Sequence, residues 1–152
     1  MVADICTNND LLLISDEIHG DLTYPWADFV SAGSLGDRYH DRLVVCTGAS
    51  KAFNLPGLKT ALTIIPDDGL RADFQTTLRN QNELFGANLF GTTALTAAYT
   101  DGTPWLDSLI GYLAGNVEFV ADFLAARLTY RMWGWTLVSQ GKLAAPDPNR
   151  PL

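Results

Sequence analysis

The chain has 152 residues, 47% hydrophobic and 18% charged, the composition of a folded domain with a core rather than of a disordered segment. A formal net charge of -7 argues against nucleic-acid binding, because a phosphate backbone needs a cationic face. No apolar run approaches the length that spans a bilayer, and no basic region followed by an apolar stretch opens the chain, so a cytoplasmic location is the default expectation.

Met1 to Asn9 reads as the tail of a helix, with Val2, Ile5 and Cys6 on one face and the polar stop Thr7-Asn8-Asn9-Asp10 after it. Leu11-Leu12-Leu13-Ile14 is a continuous apolar run, which suits a parallel strand covered on both faces. It ends in the polar cluster Ser15-Asp16-Glu17-Ile18-His19-Gly20-Asp21. A helix tail followed by such a strand is half of a βαβ unit. Tyr24 to Asp41 is loop-like, with at best a short helix near Ala27 to Ala32. Arg42 to Cys46 is a second buried strand, and Lys59 to Ile65 a third. Too few residues separate the second from the third for a helical crossover, so that third strand is expected to run antiparallel.

Leu70, Phe74 and Leu78 are four apart, which predicts an amphipathic helix over Leu70 to Asn82, broken by Gly86 and Asn88. Thr92 to Tyr99 is a small-residue helix suited to close packing. Thr103 and Pro104 read as the N-cap and first position of the next helix. Leu106, Ile110, Leu113, Val117, Val120, Leu124 and Leu128 recur every three or four residues and predict a long helix with one apolar stripe for core packing. Tyr130 to Val138 could form a strand, and Ala144 to Leu152, with three prolines, reads as unstructured. Cys6 and Cys46 flank apolar runs and are expected to be buried thiols in a reducing compartment. No Gly-x-Gly-x-x-Gly fingerprint or internal repeat is present.

The chemistry concentrates at Thr47-Gly48-Ala49-Ser50-Lys51-Ala52-Phe53-Asn54-Leu55-Pro56-Gly57. Lys51 leaves a strand at its carboxyl end, where open α/β folds keep their ligands. A lysine amine attacks a carbonyl only when unprotonated, in a desolvated or cationic setting. A Schiff-base lysine serves a cofactor aldehyde, and pyridoxal phosphate also needs a carboxylate at its ring nitrogen. Asp16, at the end of a neighbouring strand, has the right type and place. Other readings stay open. Lys51 could be a surface lysine, Asp16 and Glu17 a helix cap, and His19 a structural histidine. Asp16, Glu17, His19 and Asp21 could form a metal cluster, although strand alternation throws neighbours to opposite faces. Tyr24 and Trp26 could line a pocket or cover the core.

Ser15 to Asp21, Ser50 to Leu58, and Ala97-Ala98-Tyr99 with Gly102 and Trp105-Leu106 occur in an order and spacing that resembles the MalY/PatB-type cystathionine β-lyases, a subgroup of the class I/II aminotransferase superfamily with fold type I. The likeness covers roughly Val2 to Leu128. It implies an α/β fold, part of the large domain of a pyridoxal phosphate-dependent transferase, with a mostly parallel sheet flanked by helices. It implies a partial cofactor-binding domain over 1–104 and a long interdomain helix over 105–128; the tail over 129–152 diverges from the family and could be disordered.

The resemblance also implies roles. Lys51 would be the catalytic lysine that binds pyridoxal 5'-phosphate and moves the substrate's Cα proton. Asp16 would pair with the pyridine nitrogen, Ile18 would lie under the ring, and His19 would stand near the phenolic oxygen. Thr47 and Ser50 would approach the phosphate, and Lys59 stands where transaminase relatives carry a phosphate-binding arginine. The implied reaction is carbon–sulfur β-elimination from a sulfur-containing amino acid such as cystathionine, in a homodimer without nucleic-acid or membrane partners. Aminotransferase is the close alternative. A third reading is a non-catalytic fragment that associates with a complementary chain. A family member would be much longer, with a phosphate loop before Met1 and a small domain after the long helix. The chain alone is therefore expected to be inactive, with exposed sheet edges.

Overall fold

The computed structural model describes residues 2–82 and 88–127. The chain divides into two compact units, one of residues 1–22 and 29–106, the other of residues 23–28 and 107–152.

The first unit is built on a three-stranded sheet, β1 (Leu13–Asp16), β2 (Leu43–Thr47) and β3 (Leu62–Ile64), in that spatial order. β1 runs parallel to β2, with Leu13 opposite Leu43 and Asp16 opposite Cys46. β3 runs antiparallel, with Thr47 opposite Leu62 and Val45 opposite Ile64. The expected direction of the third strand is therefore observed, over a shorter span. The reason for the reversal is local. The chain turns back through a 3₁₀ turn, Pro56–Leu58, whose proline cannot continue a strand ladder.

The core centres on β2. Leu43 is fully buried, and Val44 and Val45 are nearly so, joined by Ala49, Ala52, Ile65 and Ala98. A 3₁₀ turn at Ala32–Ser34 lies against β2. A second, at Asp37–Arg42, delivers Tyr39 to α1 (Val2–Asn8), where its hydroxyl donates to Asp4 Oδ1 at 2.6 Å. That bond is the main cause that holds the Asp4 carboxyl below its ordinary range. These two turns replace the short helix expected at Ala27 to Ala32.

β1 corrects another expectation. It is not covered on both faces: Ile14 is exposed, as are Leu11 and Leu12 just before the strand, and among the described residues β2 is its one strand neighbour. The buried residue of α1 is Ala3, while Val2 and Ile5 are exposed. Cys6 and Cys46 are free thiols, half-buried rather than buried.

α2 (Asp68–Asn82) begins where Asp67 Oδ1 accepts from the Leu70 N–H at 2.7 Å, a side-chain N-cap. Its face is only partly covered, since Phe74 is exposed. Gly86 lies outside the described residues, and Asn88 caps α3 (Leu89–Asp101) instead of merely breaking the chain. α4 (Thr103–Arg127) follows almost without interruption. Thr103 is inside it and not its cap: the Gly102 carbonyl accepts from the N–H groups of Trp105 and Leu106, both at 3.1 Å.

In the second unit, the rings of Tyr24 and Trp26 stack on each other, 4.9 Å apart and 8° from parallel. The greater part of α4 belongs here. Of its predicted stripe, Ile110, Leu113, Val117 and Leu124 are half-buried and Val120 is exposed, so none reaches full burial. Tyr112, Phe119 and Phe123 are exposed as well. Leu128, the predicted strand at 130–138 and the tail at 144–152 lie outside the described residues. Among the described residues no helix is long and apolar enough to cross a membrane.

Candidate active site

Both parallel strands end at one edge of the sheet, and each gives way to a hydrogen-bonded turn. Past β1, the Glu17 N–H donates to Cys46 O at 2.7 Å, which adds one more rung to the ladder. The chain then turns, Gly20 N–H to Glu17 O at 2.9 Å and Leu22 N–H to His19 O at 3.0 Å. Asp16 is exposed, and its Oδ1 accepts from the Ile18 N–H at 3.3 Å, an Asx-type bond that orients the carboxylate over its own turn. Ile18 is half-buried and His19 exposed.

Past β2, Gly48 adopts a φ of +154°, a conformation that suits glycine. A side chain there would also press on the backbone of Ala61, 3.2 Å from the Cβ position. The next residues close a single helical turn, with Phe53 N–H to Ala49 O at 3.0 Å and Leu55 N–H to Ser50 O at 2.9 Å. Lys51 sits in this turn, exposed, with half-buried Ser50 before it and buried Ala52 after it. Thr47 is half-buried, and its hydroxyl reaches Glu17 O at 3.4 Å. Because β3 is antiparallel, the residues that lead into it share this edge. Lys59 is among them, exposed and left-handed at φ +48°. The register thus brings Asp16, Ile18, His19, Thr47, Ser50, Lys51 and Lys59 to the carboxyl edge of the parallel pair.

The four polar residues once readable as a metal cluster diverge. Asp16 turns to its own backbone. Glu17 is 8% exposed and accepts from Ser15 Oγ at 2.8 Å and the Ala32 N–H at 2.7 Å. Burial pushes its carboxyl upward, but bonds from Ser31, Ala32 and Ser15 outweigh that and hold it below its ordinary value. Asp21 accepts from the Tyr99 hydroxyl at 2.9 Å. No three His, Cys, Asp or Glu gather into a metal site among the described residues.

A protein-family profile, aminotransferase class I and II, matches residues 1–140. The chain belongs to this family. It is 39% identical over 127 residues to cystathionine β-lyase PatB of Bacillus subtilis, and 32% identical over 139 residues to protein MalY of Escherichia coli. These matches cover 84% and 88% of this chain but 33% of each relative. The chain thus spans about a third of the length of those relatives. Among solved structures it superposes on cystalysin from Treponema denticola, which contains a pyridoxal 5'-phosphate cofactor, with a TM-score of 0.77 and 29% identity over 82% of this chain and 31% of that one. The fold is accordingly part of the α/β fold of these enzymes.

Within this family member, two ties at the edge went unassigned in the sequence. Glu17 is a buried anchor for the loop that reaches Ala32, and Asp21 is the partner of Tyr99. Ser15, two residues before Glu17, signals the first only weakly. The second joins two of the three recognised motifs and could have been suspected from that alone.

Proposed function

We propose that the chain is the central part of a pyridoxal phosphate-dependent carbon–sulfur β-lyase acting on sulfur-containing amino acids. The observation that carries this reading is the register of the parallel pair. Asp16 lies opposite Cys46, and the turn with Lys51 begins just beyond, so a carboxylate and an amine share one edge. The residues present fit the cofactor. An acceptor is available for a protonated ring nitrogen, and a primary amine stands on a turn whose glycine lets it pack closely on the Ala61 backbone. PatB bears the name cystathionine β-lyase, which supports the lyase over the aminotransferase reading.

When bound, pyridoxal phosphate supplies an aldehyde carbon for a lysine and a ring that accepts electrons. Lys51 Nζ would hold the aldehyde and then take the proton from the substrate's Cα. Asp16 would keep the ring nitrogen protonated, Ile18 would support one ring face, and His19 would stand by the phenolic oxygen. Thr47, Ser50 and Lys59 would meet the phosphate. With that proton on Lys51, a thiolate would leave from Cβ, and the products would be a thiol, pyruvate and ammonia. The whole protein would act as a homodimer. The free thiols Cys6 and Cys46 of this chain suit a reducing compartment, the cytoplasm.

The experiment is borohydride trapping. The purified chain is mixed with pyridoxal phosphate, reduced, digested and mapped by mass spectrometry, beside Lys51→Ala. Preferential labelling of Lys51 is expected, with loss of that label in the variant. Labelling spread evenly over the other lysines would overturn the reading. Pyruvate release from cystathionine is assayed in parallel, and label without pyruvate would favour the non-catalytic fragment.

A further inference from the structure

The motif Ala97-Ala98-Tyr99 has so far been given no task, yet Tyr99 meets both polar turns. Its hydroxyl donates to Asp21 Oδ2 at 2.9 Å, five residues past Asp16. Its ring takes an edge-on contact from Phe53, two residues past Lys51, with centroids 5.7 Å apart and planes 74° from parallel. Burial first, and then the Asp21 carboxylate, push the phenol up to about 12, against the pull of Thr47, so the hydroxyl remains a donor at any working pH. Phe53 is fixed from its other side: Trp105 stacks on it at 6.1 Å, and Gly102 leaves room that a Cβ would fill at 2.5 Å from the ring.

The ladder explains why such a tie matters. Strand pairing ends with the Glu17 N–H on Cys46 O and with Thr47 opposite Leu62, so the chain from Ile18 and from Gly48 onward lies beyond the reach of the sheet's own register. Past that point the backbone bonds within each turn are local, and the Thr47 hydroxyl reaches across to Glu17 O only at 3.4 Å. A group that touches both turns can fix their separation, and Tyr99 does so from α3.

We propose that Tyr99 is a positioning residue. Its hydroxyl on Asp21 and its ring on Phe53 hold the Asp16 turn and the Lys51 turn at a fixed spacing across the edge of the sheet. The link to cofactor binding rests on the proposed function. The coupling of the two turns does not.

The test uses Tyr99→Phe, which keeps the ring and removes the hydroxyl, beside Asp21→Asn, which keeps an acceptor. Amide hydrogen exchange is read residue by residue on the 152-residue chain. Tyr99→Phe is expected to speed exchange about fivefold at Gly20 and Leu22 and also at Phe53 and Leu55, with Val44 and Val45 unchanged. Asp21→Asn should retain most of the protection seen in the parent. Uniform acceleration, acceleration in α3 alone, or acceleration in one turn only would each overturn the coupling.

A second arm reads cofactor affinity by the Lys51 label, at a temperature where all variants are folded by circular dichroism. Tyr99→Phe should weaken it about fivefold. Equal labelling of variant and parent would overturn the positioning role. A parent that takes no label at Lys51 would sink the proposed function instead, and the exchange pattern would still decide the coupling.

Discussion

β1 and β2 carry the same kind of apolar run and meet opposite fates. Leu43, Val44 and Val45 of β2 are buried, while Ile14 of β1 is 62% exposed and Leu12 43% exposed. β2 has a strand on each side and the Ala32–Ser34 turn against it, whereas among the described residues β1 has a strand on one side only. An apolar run therefore records what a strand needs around it, and topology decides whether the need is met. The carboxyl ends of the two strands differ far less. Each passes into a turn secured by its own backbone bonds, and the polar edge is built even where the apolar cover is thin.

The largest expected effect follows from that contrast. Leu43→Ala removes a fully buried side chain from a packed surround, and should cost about 3 kcal/mol of unfolding free energy. Ile14→Ala alters a side chain already largely in water, and should cost less than about 1 kcal/mol. Urea titration of the two variants measures both. Equal losses would mean that Ile14 is covered in solution and that the two strands are alike after all.

A smaller effect is expected where α3 meets the loop after Lys51. Asn88 closes this joint: its Oδ1 accepts from the Gly91 N–H at 2.7 Å and its Nδ2 donates to Leu58 O at 2.7 Å. A Cβ on Gly91 would lie 1.8 Å from Thr60 Oγ1. Gly91→Ala should destabilise by about 2 kcal/mol through overpacking. Gly111→Ala, on an open stretch of α4, should instead stabilise by up to about 1 kcal/mol from helix propensity alone. Thermal melting of both variants tests the pair, and a stabilised Gly91→Ala would dissolve the joint.

Much of this architecture is legible in the residues. The apolar runs locate β1 and β2 to within two residues, and the short, proline-interrupted link before β3 predicts its direction. The polar edge is legible because Asp16 and Lys51 follow directly on those runs. What the residues hide is contact between distant segments. Nothing local says that Tyr99 meets Asp21, or that Glu17 points inward when Asp16 beside it points out. The stripe on α4 shows the same limit from the other side. Its period is right, but a period gives a face and not what lies against that face, and the face here stays half open.

The last prediction concerns how the edge strand is fixed without apolar cover. A buried carboxylate just past its end ties it down. Glu17 takes bonds from Ser15, Ser31 and the Ala32 N–H, and these hold its carboxyl below the ordinary value of 4.5 in spite of burial. A folded-state value below the unfolded one stabilises the fold above the unfolded value, and that contribution is lost as pH falls through the folded value. Glu17→Gln keeps the shape and removes the charge, so it should cost about 1 kcal/mol at neutral pH. As the medium is acidified below 4.5, the parent should lose stability faster than the variant and the gap between them should close. Urea midpoints measured from pH 7 down to about pH 3 follow this directly. A gap that stays constant across that range would mean that the carboxylate's charge does nothing for the strand. β1 would then be held by its pairing with β2 alone.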